Sequence, residues 1–357
     1  MSGAQRLTAT VIGAGAGGTL SIDALIASDR YDLIGVADVN QASLDRLVEK
    51  TSGSIPTFAT HEEMFAQRPS DVVCVSTYAP SHLEMTRAAV ATGNVRGMLV
   101  EKPLGATTAA GRQIVYLLKS LDLPLVVPHG LMAQSAALEI VARVKAGVVG
   151  NLRLVEMECT EWDIINAGIH WLQFFVALVE PSPIQVVLMA ADASTRTYRD
   201  GMQVETEAIT MARAANGVRV LLNTGDRVPI WRGDTPCLMR IVGDRGFIEF
   251  GAFEPRYLLV AGDHDRELVE VEPFAVSGHQ RHLESLADQI HSGAREYLIP
   301  ETSLQALEIV EAAYESNRVR GSVTLPIGSM QPERAAGEWN PGEPYSGFGG
   351  GQNGREL

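Results

Sequence analysis

The segment "TATVIGAGAGG" at residues 8–18 restricts the fold of this chain more than any other stretch. An apolar run is followed at once by glycines at positions 13, 15 and 18, and an apolar helix pattern begins at about residue 17. Glycines in this order let a chain leave a buried strand, turn tightly and enter a helix that packs closely on that strand. The segment therefore predicts the first strand, turn and helix of a domain built on a parallel sheet.

The same alternation of strand and helix continues from residue 7 to about residue 128. Four more runs, rich in Val, Ile and Leu on both faces, are typical of buried parallel strands: 32–38, 71–77, 97–103 and 123–129. Helix patterns alternate with them at 17–29, 41–50, 60–68, 81–93 and 107–120. This order predicts an α/β fold class, with a Rossmann-type parallel sheet domain over residues 1–128.

A second domain is predicted over residues 129–327, because strand patterns there follow one another with few helices between them. The strands are predicted at 152–160, 184–192, 204–215, 218–224, 237–243, 246–250, 256–261 and 267–272. Helices are predicted at 132–146, 165–179, 279–293 and 301–318. Consecutive strands with short turns indicate a mostly antiparallel sheet. Residues 328–357, rich in Gly and Pro, are predicted to form an extended arm or a disordered tail.

Composition narrows the possible partners and the compartment. The net charge of −14 disfavours nucleic acid and anionic membranes as partners. The three cysteines are far apart and odd in number, so we expect no disulfide framework, no metal site and a reducing compartment. The first residues lack the pattern of a secretory signal, and no long uncharged apolar run follows. A soluble cytoplasmic protein is therefore expected.

The glycine turn also predicts a dinucleotide site. The first glycine makes the turn, the second lets the backbone approach a pyrophosphate, and the third allows close helix packing. Asp38 lies 20 residues after Gly18 and is placed to hold the adenosine ribose hydroxyls, which favours NAD over NADP because a carboxylate repels a 2′-phosphate. The alternative is a glycine-rich turn that binds no cofactor. The predicted contacts here are Gly13, Gly15, Ala16, Gly17, Gly18, Asp38, Val39 and Asn40.

Two further segments carry polar groups that suit chemistry. "LVEKPLG" at 99–105 ends a predicted parallel strand, and ligands bind beyond such ends, so Lys102 is expected near the cofactor. A solvated loop charge is the alternative. In "INAGIHWLQFF" at 165–175, helical spacing places Asn166, His170 and Gln173 on one stripe. A buried histidine with satisfied hydrogen bonds is the alternative there.

In this order the glycine turn, the acid after the second strand, Glu101-Lys102-Pro103 and Gly168-x-His170 resemble the Gfo/Idh/MocA family over about residues 7–327. The resemblance implies a Rossmann domain, a second α/β domain with an open, mostly antiparallel sheet, and a homodimer or homotetramer. It implies an NAD(P)-dependent oxidoreductase acting on a hydroxyl or carbonyl carbon of a sugar, polyol or related ring. It adds cofactor contacts at Ser76, Thr77, Pro80, His82, Glu101 and Lys102.

This chain departs from the family pattern where the family helix reads Asp-x-Gly-x-His-x-x-Asp. Both acids are amides here, Asn166 and Gln173, and an amide binds a hydroxyl but does not exchange a proton at neutral pH. The segment 126–134 also lacks the arginine that the family often has, which makes an anionic substrate less expected.

The roles expected from these residues are those of an alcohol dehydrogenation. His170 is the expected general base and Lys102 stabilises the developing alkoxide. Asn166 is expected to bind a substrate hydroxyl, Gln173 to orient the imidazole, and Asp163 to supply a displaced carboxylate. Trp162 is expected either to stack on a sugar ring or to pack in the core.

Two other functions stay open on the sequence alone. One is an NAD-retaining, glycoside-cleaving enzyme that oxidises its sugar transiently and eliminates the aglycone. The other is a non-catalytic NAD-binding regulator, which the loss of both family acids favours. The sequence does not distinguish a hexose from an inositol, an amino sugar or an open-chain polyol.

Overall fold

The structure is a computed structural model that describes residues 5–192, 197–199, 201–231, 235–262 and 265–327. The predicted tail, 328–357, lies outside the described residues. The chain divides into two compact units. Among the described residues, the first unit runs to Pro128 and includes Val276–Glu301, and the second consists of those in His129–Ala275 and in 302–327.

The first unit is a six-stranded sheet in which every adjacent pair is parallel, in the order β3-β2-β1-β4-β5-β6. Its strands are β1 Leu7–Ile12, β2 Tyr31–Ala37, β3 Thr57–Phe58, β4 Val72–Val75, β5 Gly97–Val100 and β6 Leu125–Val126. Its first five helices are α1 Ala16–Ala27, α2 Gln41–Thr51, α3 His61–Gln67, α4 His82–Ala91 and α5 Thr108–Ser120. This strand order is that of a doubly wound dinucleotide-binding fold, which confirms the predicted class.

The second domain predicted as a continuous 129–327 segment is interrupted, because α8, Gly278–Ser292, packs in the first unit. Its Leu283, Leu286 and Ala287 are fully buried and join the apolar cluster around β1 and β2. The Tyr31 hydroxyl donates to the Leu283 carbonyl oxygen. The buried face of α8 thus covers apolar surface that the sheet of the first unit would otherwise expose.

The second unit contains a nine-stranded sheet in the order β16-β15-β14-β13-β7-β12-β11-β8-β17. Only β7 and β12 are parallel among the described pairs, so the prediction of a mostly antiparallel sheet is confirmed. The strands are β7 Leu152–Thr160, β8 Ile184–Asp192, β11 Glu207–Ala214, β12 Arg219–Gly225, β13 Cys237–Gly243, β14 Gly246–Gly251, β15 Arg256–Ala261, β16 Asp265–Glu270 and β17 Val323–Thr324. The predicted strand 204–215 is observed as β11. A separate hairpin that the sequence pattern does not predict precedes it and is formed by β9 Thr197–Arg199 and β10 Met202–Val204.

Three helices complete the description: α6 Ser135–Lys145, α7 Ile169–Val179 and α9 Leu298–Val319. The predicted helix 165–179 is divided, because residues Ile164–Gly168 form a π-helical turn before α7 begins. A π turn shifts the angular positions of the residues before it, so 166 and 170 do not keep ordinary helical spacing. Among the described helices, none combines the length and apolarity that crossing a membrane requires.

Candidate functional site

The glycine turn after β1 is held by close backbone contacts. Gly13 has φ +98°, and a Cβ there would overlap the Ser76 carbonyl group at the end of β4. A Cβ on Gly18 would overlap the carbonyl oxygen of Gly13. Both positions therefore require glycine for the chain to fold in this way, whatever is bound.

Gly15 is different, because a Cβ built on it would meet no atom within 4 Å. It lies in the exposed part of the turn with Ala16, directly before α1. The first amides of a helix have no partner within the helix and attract negative charge. The absence of a side chain at Gly15 thus leaves a space over these amides that suits a pyrophosphate.

Asp38, after β2, connects the glycine turn to the turn that precedes α2. Its Oδ2 accepts from the Ala14 amide at 2.6 Å and its Oδ1 accepts from the Asn40 amide at 2.7 Å. Asn40 in turn caps α2 by accepting from the Ala42 amide. Because each carboxylate oxygen has a second lone pair, Asp38 can still accept from ribose hydroxyls. Val39 beside it is 94% exposed and offers an apolar contact.

The residues after β4 divide into accessible and buried groups. Thr77 and Pro80 are partly exposed, and Ser76 is nearly buried with its hydroxyl 3.2 Å from that of Ser21. His82 is fully buried, and its Nε2 donates to the Thr77 carbonyl oxygen at 2.9 Å. Burial lowers the pKa of His82, which favours the neutral ring. The expected cofactor contact of His82 is thus corrected: its ring fixes the loop from inside.

The residues after β5 bring an acid beneath the glycine turn. Glu101 lies against Gly17, whose Cβ position is 3.5 Å from the Glu101 Cδ. Its Oε1 accepts from Nε2 of His279 on α8 at 2.7 Å, and its Oε2 accepts from the Lys102 amide at 3.2 Å. β5 ends at Val100, so Glu101 and Lys102 stand in the loop beyond the carboxyl end of the strand.

In the second unit, Asp163 fixes the start of the π turn. Its Oδ1 accepts from the amides of Ile165 at 3.1 Å and Asn166 at 2.7 Å. The Asn166 side-chain Nδ2 lies 3.1 and 3.2 Å from the two Asp163 oxygens and donates to this carboxylate. Asp163 and Asn166 are 3% and 1% exposed, so neither side chain reaches a substrate in this conformation. Their expected contacts with substrate are corrected on this ground.

A second buried acid, Glu205, lies beside Asp163. Its Oε1 accepts from the Ile164 amide at 2.7 Å, and its Oε2 accepts from the Tyr314 hydroxyl at 2.7 Å. Burial, and then the negative charge of Asp163, raise the pKa of Glu205 to about 7. The Glu205 carboxyl therefore keeps its proton to a higher pH than a free glutamic acid does.

The guanidinium of Arg199 balances one of these two charges. Its Nη1 lies 3.5 Å from Asp163 Oδ2, and both side chains are 3% exposed. The same guanidinium lies over the Trp162 ring at 3.9 Å from its centroid. One face of Trp162 is therefore covered by a cation, which leaves at most the other face for the expected stacking on a sugar.

His170 differs from its polar neighbours on α7, because it keeps partial exposure. Gln173 is fully buried and its Nε2 donates to Thr302 Oγ1 at 2.9 Å, so the expected contact of Gln173 with the imidazole is replaced by one with α9. The ring of His170 packs edge-on against that of buried His129, with centroids 5.2 Å apart. His129 Nε2 is hydrogen-bonded to Ser303 Oγ at 2.7 Å.

Comparison with known proteins shows what the first unit is similar to. A family model described as an oxidoreductase family with an NAD-binding Rossmann fold, Gfo/Idh/MocA, matches residues 7–129. The match contains the glycine turn, Asp38 and the Glu101-Lys102 pair. Residues 7–129, about a third of the chain, thus match the Gfo/Idh/MocA family model. The first unit is accordingly an NAD-binding domain, and the open space at Gly15 fits a dinucleotide pyrophosphate.

The individual curated relatives of this chain are distant. An uncharacterised oxidoreductase of Bacillus subtilis, YfiI, is 24% identical over 252 residues, which cover 61% of this chain and 62% of YfiI. Inositol 2-dehydrogenase of Agrobacterium fabrum is 31% identical over 83 residues, 23% of this chain and 24% of the relative. The chain thus spans less than two thirds of either curated relative.

Solved structures show the same fold over most of the chain. An oxidoreductase from Agrobacterium radiobacter, in complex with NAD⁺, L-tartaric acid and magnesium, has a TM-score of 0.76 and 16% identity to this chain. The similarity covers 90% of this chain and 98% of that one. At this level of identity, the shared property is the fold.

Sequence reasoning missed four polar residues: His129, Arg199, Glu205 and His279. His129 ends a predicted strand, and Glu205 lies at the start of one, so each reads as an ordinary boundary residue. His279 starts a helix that the sequence places in the other domain. The sequence carries no signal for the burial of Glu205, because an acid at the boundary of a strand is ordinarily solvated and needs no buried partner.

The two glycines at 15 and 18 give a matched test of the cofactor turn. Gly15→Ala adds a methyl group in open space at an allowed backbone conformation, so the fold should be unchanged while the Kd for NAD rises about tenfold or more. Gly18→Ala forces a Cβ onto the Gly13 carbonyl and should cost about 3 kcal/mol of stability. Calorimetric titration with NAD and thermal unfolding measure the two effects. Equal loss of stability in both variants would contradict the assignment of Gly15.

Proposed function

We propose that this protein is an NAD-dependent dehydrogenase that acts on a CH–OH group of a sugar, polyol or related ring compound. The observation that carries the proposal is the partial exposure of His170. Of the three polar side chains predicted on one stripe of this helix, Asn166 and Gln173 are buried in bonds within the second unit, and the imidazole alone keeps access to solvent.

The proton and the charge of the reaction are assigned to two residues. When bound, NAD supplies the acceptor for a hydride. His170 takes the proton of the reacting hydroxyl, since a partly exposed imidazole exchanges protons near neutral pH. Lys102, in the loop after β5, donates to the reacting oxygen and stabilises negative charge as it develops there.

The neighbouring side chains support this base without touching substrate. Asp163 and Asn166 fix the turn before α7, and Gln173 fixes the helix to α9 through Thr302. Trp162 can offer a sugar at most one ring face, since Arg199 covers the other. Base catalysis therefore rests on one ionisable group of α7, His170, rather than on the acid and histidine of the family pattern.

The preference for NAD and for a hydroxyl substrate has separate support. The carboxylate of Asp38, tied to the glycine turn at 2.6 Å, would repel a 2′-phosphate at the ribose. Inositol 2-dehydrogenase is among the curated relatives, and a fold relative holds NAD⁺ and L-tartaric acid. Inositol and L-tartaric acid both carry hydroxyl groups on neighbouring carbons, which supports a polyhydroxy substrate here.

An absorbance screen for NADH formation against sugars and polyols, run with NAD and with NADP, tests the proposed reaction. On the substrate found, His170→Asn and Lys102→Ala should each lower kcat about 100-fold or more while NAD still binds. The exposed His291→Asn and Lys145→Ala are matched controls and should keep wild-type rates.

Three outcomes would contradict this assignment. A near wild-type rate for His170→Asn would remove the imidazole from the reaction. Release of an aglycone without net NADH would favour the NAD-retaining, glycoside-cleaving function. Tight binding of NAD with no turnover across the whole panel would favour a regulator.

We also propose that the exposed face of the nine-stranded sheet pairs with a second copy of the chain. Leu188, Ile209 and Leu221 on β8, β11 and β12 are 42%, 60% and 41% exposed. Leu188 and Leu221 are both register partners of Met211 on β11, and Ile209 lies two residues before Met211 on the same strand. An apolar patch of this kind on a sheet is typical of an interface. Sedimentation should give a dimer or tetramer mass, and Ile209→Lys should shift it toward the monomer. A wild-type monomer at micromolar concentration would contradict the proposal.

A further inference from the structure

The start of α7 rests on a buried polar cluster that the proposed reaction does not use. Its members are Asp163, Arg199, Glu205 and Tyr314, and it lies wholly in the second unit. Arg199 comes from β9, Tyr314 from α9, and the two acids from loops before the π turn and after β10. Segments distant in sequence thus meet at the point where the helix that carries His170 begins.

The cluster binds three successive amides of the chain. Glu205 Oε1 accepts from the Ile164 amide at 2.7 Å, and Asp163 Oδ1 accepts from the next two amides at 3.1 and 2.7 Å. These amides open the π turn of residues Ile164–Gly168, and His170 is the second residue of α7 after it. Two carboxylates, rather than one capping residue, therefore set where the helix starts.

The charges of the cluster do not cancel when both acids are ionised. The groups that face Glu205 are the Asp163 carboxylate and the Tyr314 hydroxyl, and Arg199 pairs with Asp163. Two negative charges then share one guanidinium in a site where all three charged side chains are 3% exposed or less. Glu205 is the acid whose pKa is raised, to about 7, by burial and by the charge of Asp163.

We propose that Glu205 is a positioning residue for the base of the proposed dehydrogenation: its ionised carboxylate holds the first amide of the π turn and so keeps His170 in place. This inference rests on the proposed function of His170. A charged acceptor forms a shorter and stronger hydrogen bond with an amide than a neutral one does. Protonation of Glu205 weakens its bond to the Ile164 amide and loosens the start of α7.

The direction of the pH effect follows from this. Above about pH 7 Glu205 is ionised and the turn is held, and below that pH the carboxyl is neutral and the hold weakens. The rate of the reaction should therefore fall as the pH decreases through about 7, in addition to any fall caused by protonation of His170 itself. Glu205→Gln imitates the protonated form at every pH, because the amide oxygen accepts from Ile164 and the NH₂ group faces Tyr314.

The ratio of kcat for the wild type to kcat for Glu205→Gln isolates this effect, because ionisation of His170 is common to both. The ratio should be close to one at pH 5.5 and rise to about tenfold at pH 8.5, with its midpoint near 7. Glu207→Gln, the same change two residues further along and in a partly exposed side chain, should give a ratio near one throughout. A ratio that does not change with pH would reduce Glu205 to a structural role and overturn the proposal.

A second readout needs no substrate. In the NAD-bound protein, the Ile164 amide proton resonance should move with pH with a midpoint near 7, and this movement should be absent in Glu205→Gln. If no substrate is turned over, the proposed function fails while this titration still tests the contact of Glu205 with the turn. An Ile164 resonance that stays constant between pH 5.5 and 8.5 would overturn the proposal even in an active enzyme.

Discussion

The carboxylate of Asp163 is the interaction on which the start of the helix that carries His170 depends. One buried side chain accepts from two amides of the π turn, receives the side-chain amide of Asn166 and pairs with the guanidinium of Arg199. A buried carboxylate is stable only when its lone pairs are used in this way. The side-chain amide of Asn166 donates to Asp163 and is therefore not available to a substrate. His170 is the one ionisable side chain of α7.

The glycine turn of the first unit depends on steric constraint rather than on charge. Gly13 and Gly18 are required by contacts with backbone, whereas Gly15 leaves open space over the first amides of α1. Asp38 then fixes the turn to the end of β2 through the Ala14 amide. A cofactor cradle of this kind is formed by short-range contacts along the chain, and it exists before any ligand arrives. The proposed base is positioned in the opposite manner, by side chains that come from four separate segments.

This difference explains what the sequence could predict. The parallel sheet, the glycine turn and the mostly antiparallel second sheet follow from periodicity and spacing, and the structure confirms them. The π turn, the burial of Asn166 and Gln173, and the return of α8 to the first unit do not follow, because each depends on partners distant in sequence. The burial of His82 does not follow from the pattern either, although its hydrogen-bond partner, the carbonyl oxygen of Thr77, is only five residues away. The sequence could indicate the residues around a ligand only at the glycine turn after β1, where neighbouring residues of the chain form the whole feature.

The most direct test of the role of Asp163 is the thermal stability of Asn166→Asp, the change that restores the acid of the family pattern. If the amide of Asn166 is bonded to Asp163, the variant places two buried carboxylates about 3 Å apart, and one of them must take up a proton on folding. A carboxyl whose pKa is raised by folding loses stability as the pH rises above its unfolded value, so the deficit relative to wild type should grow by about 2 kcal/mol from pH 5 to pH 8. A variant as stable as the wild type at both pH values would show that Asn166 is not held by Asp163.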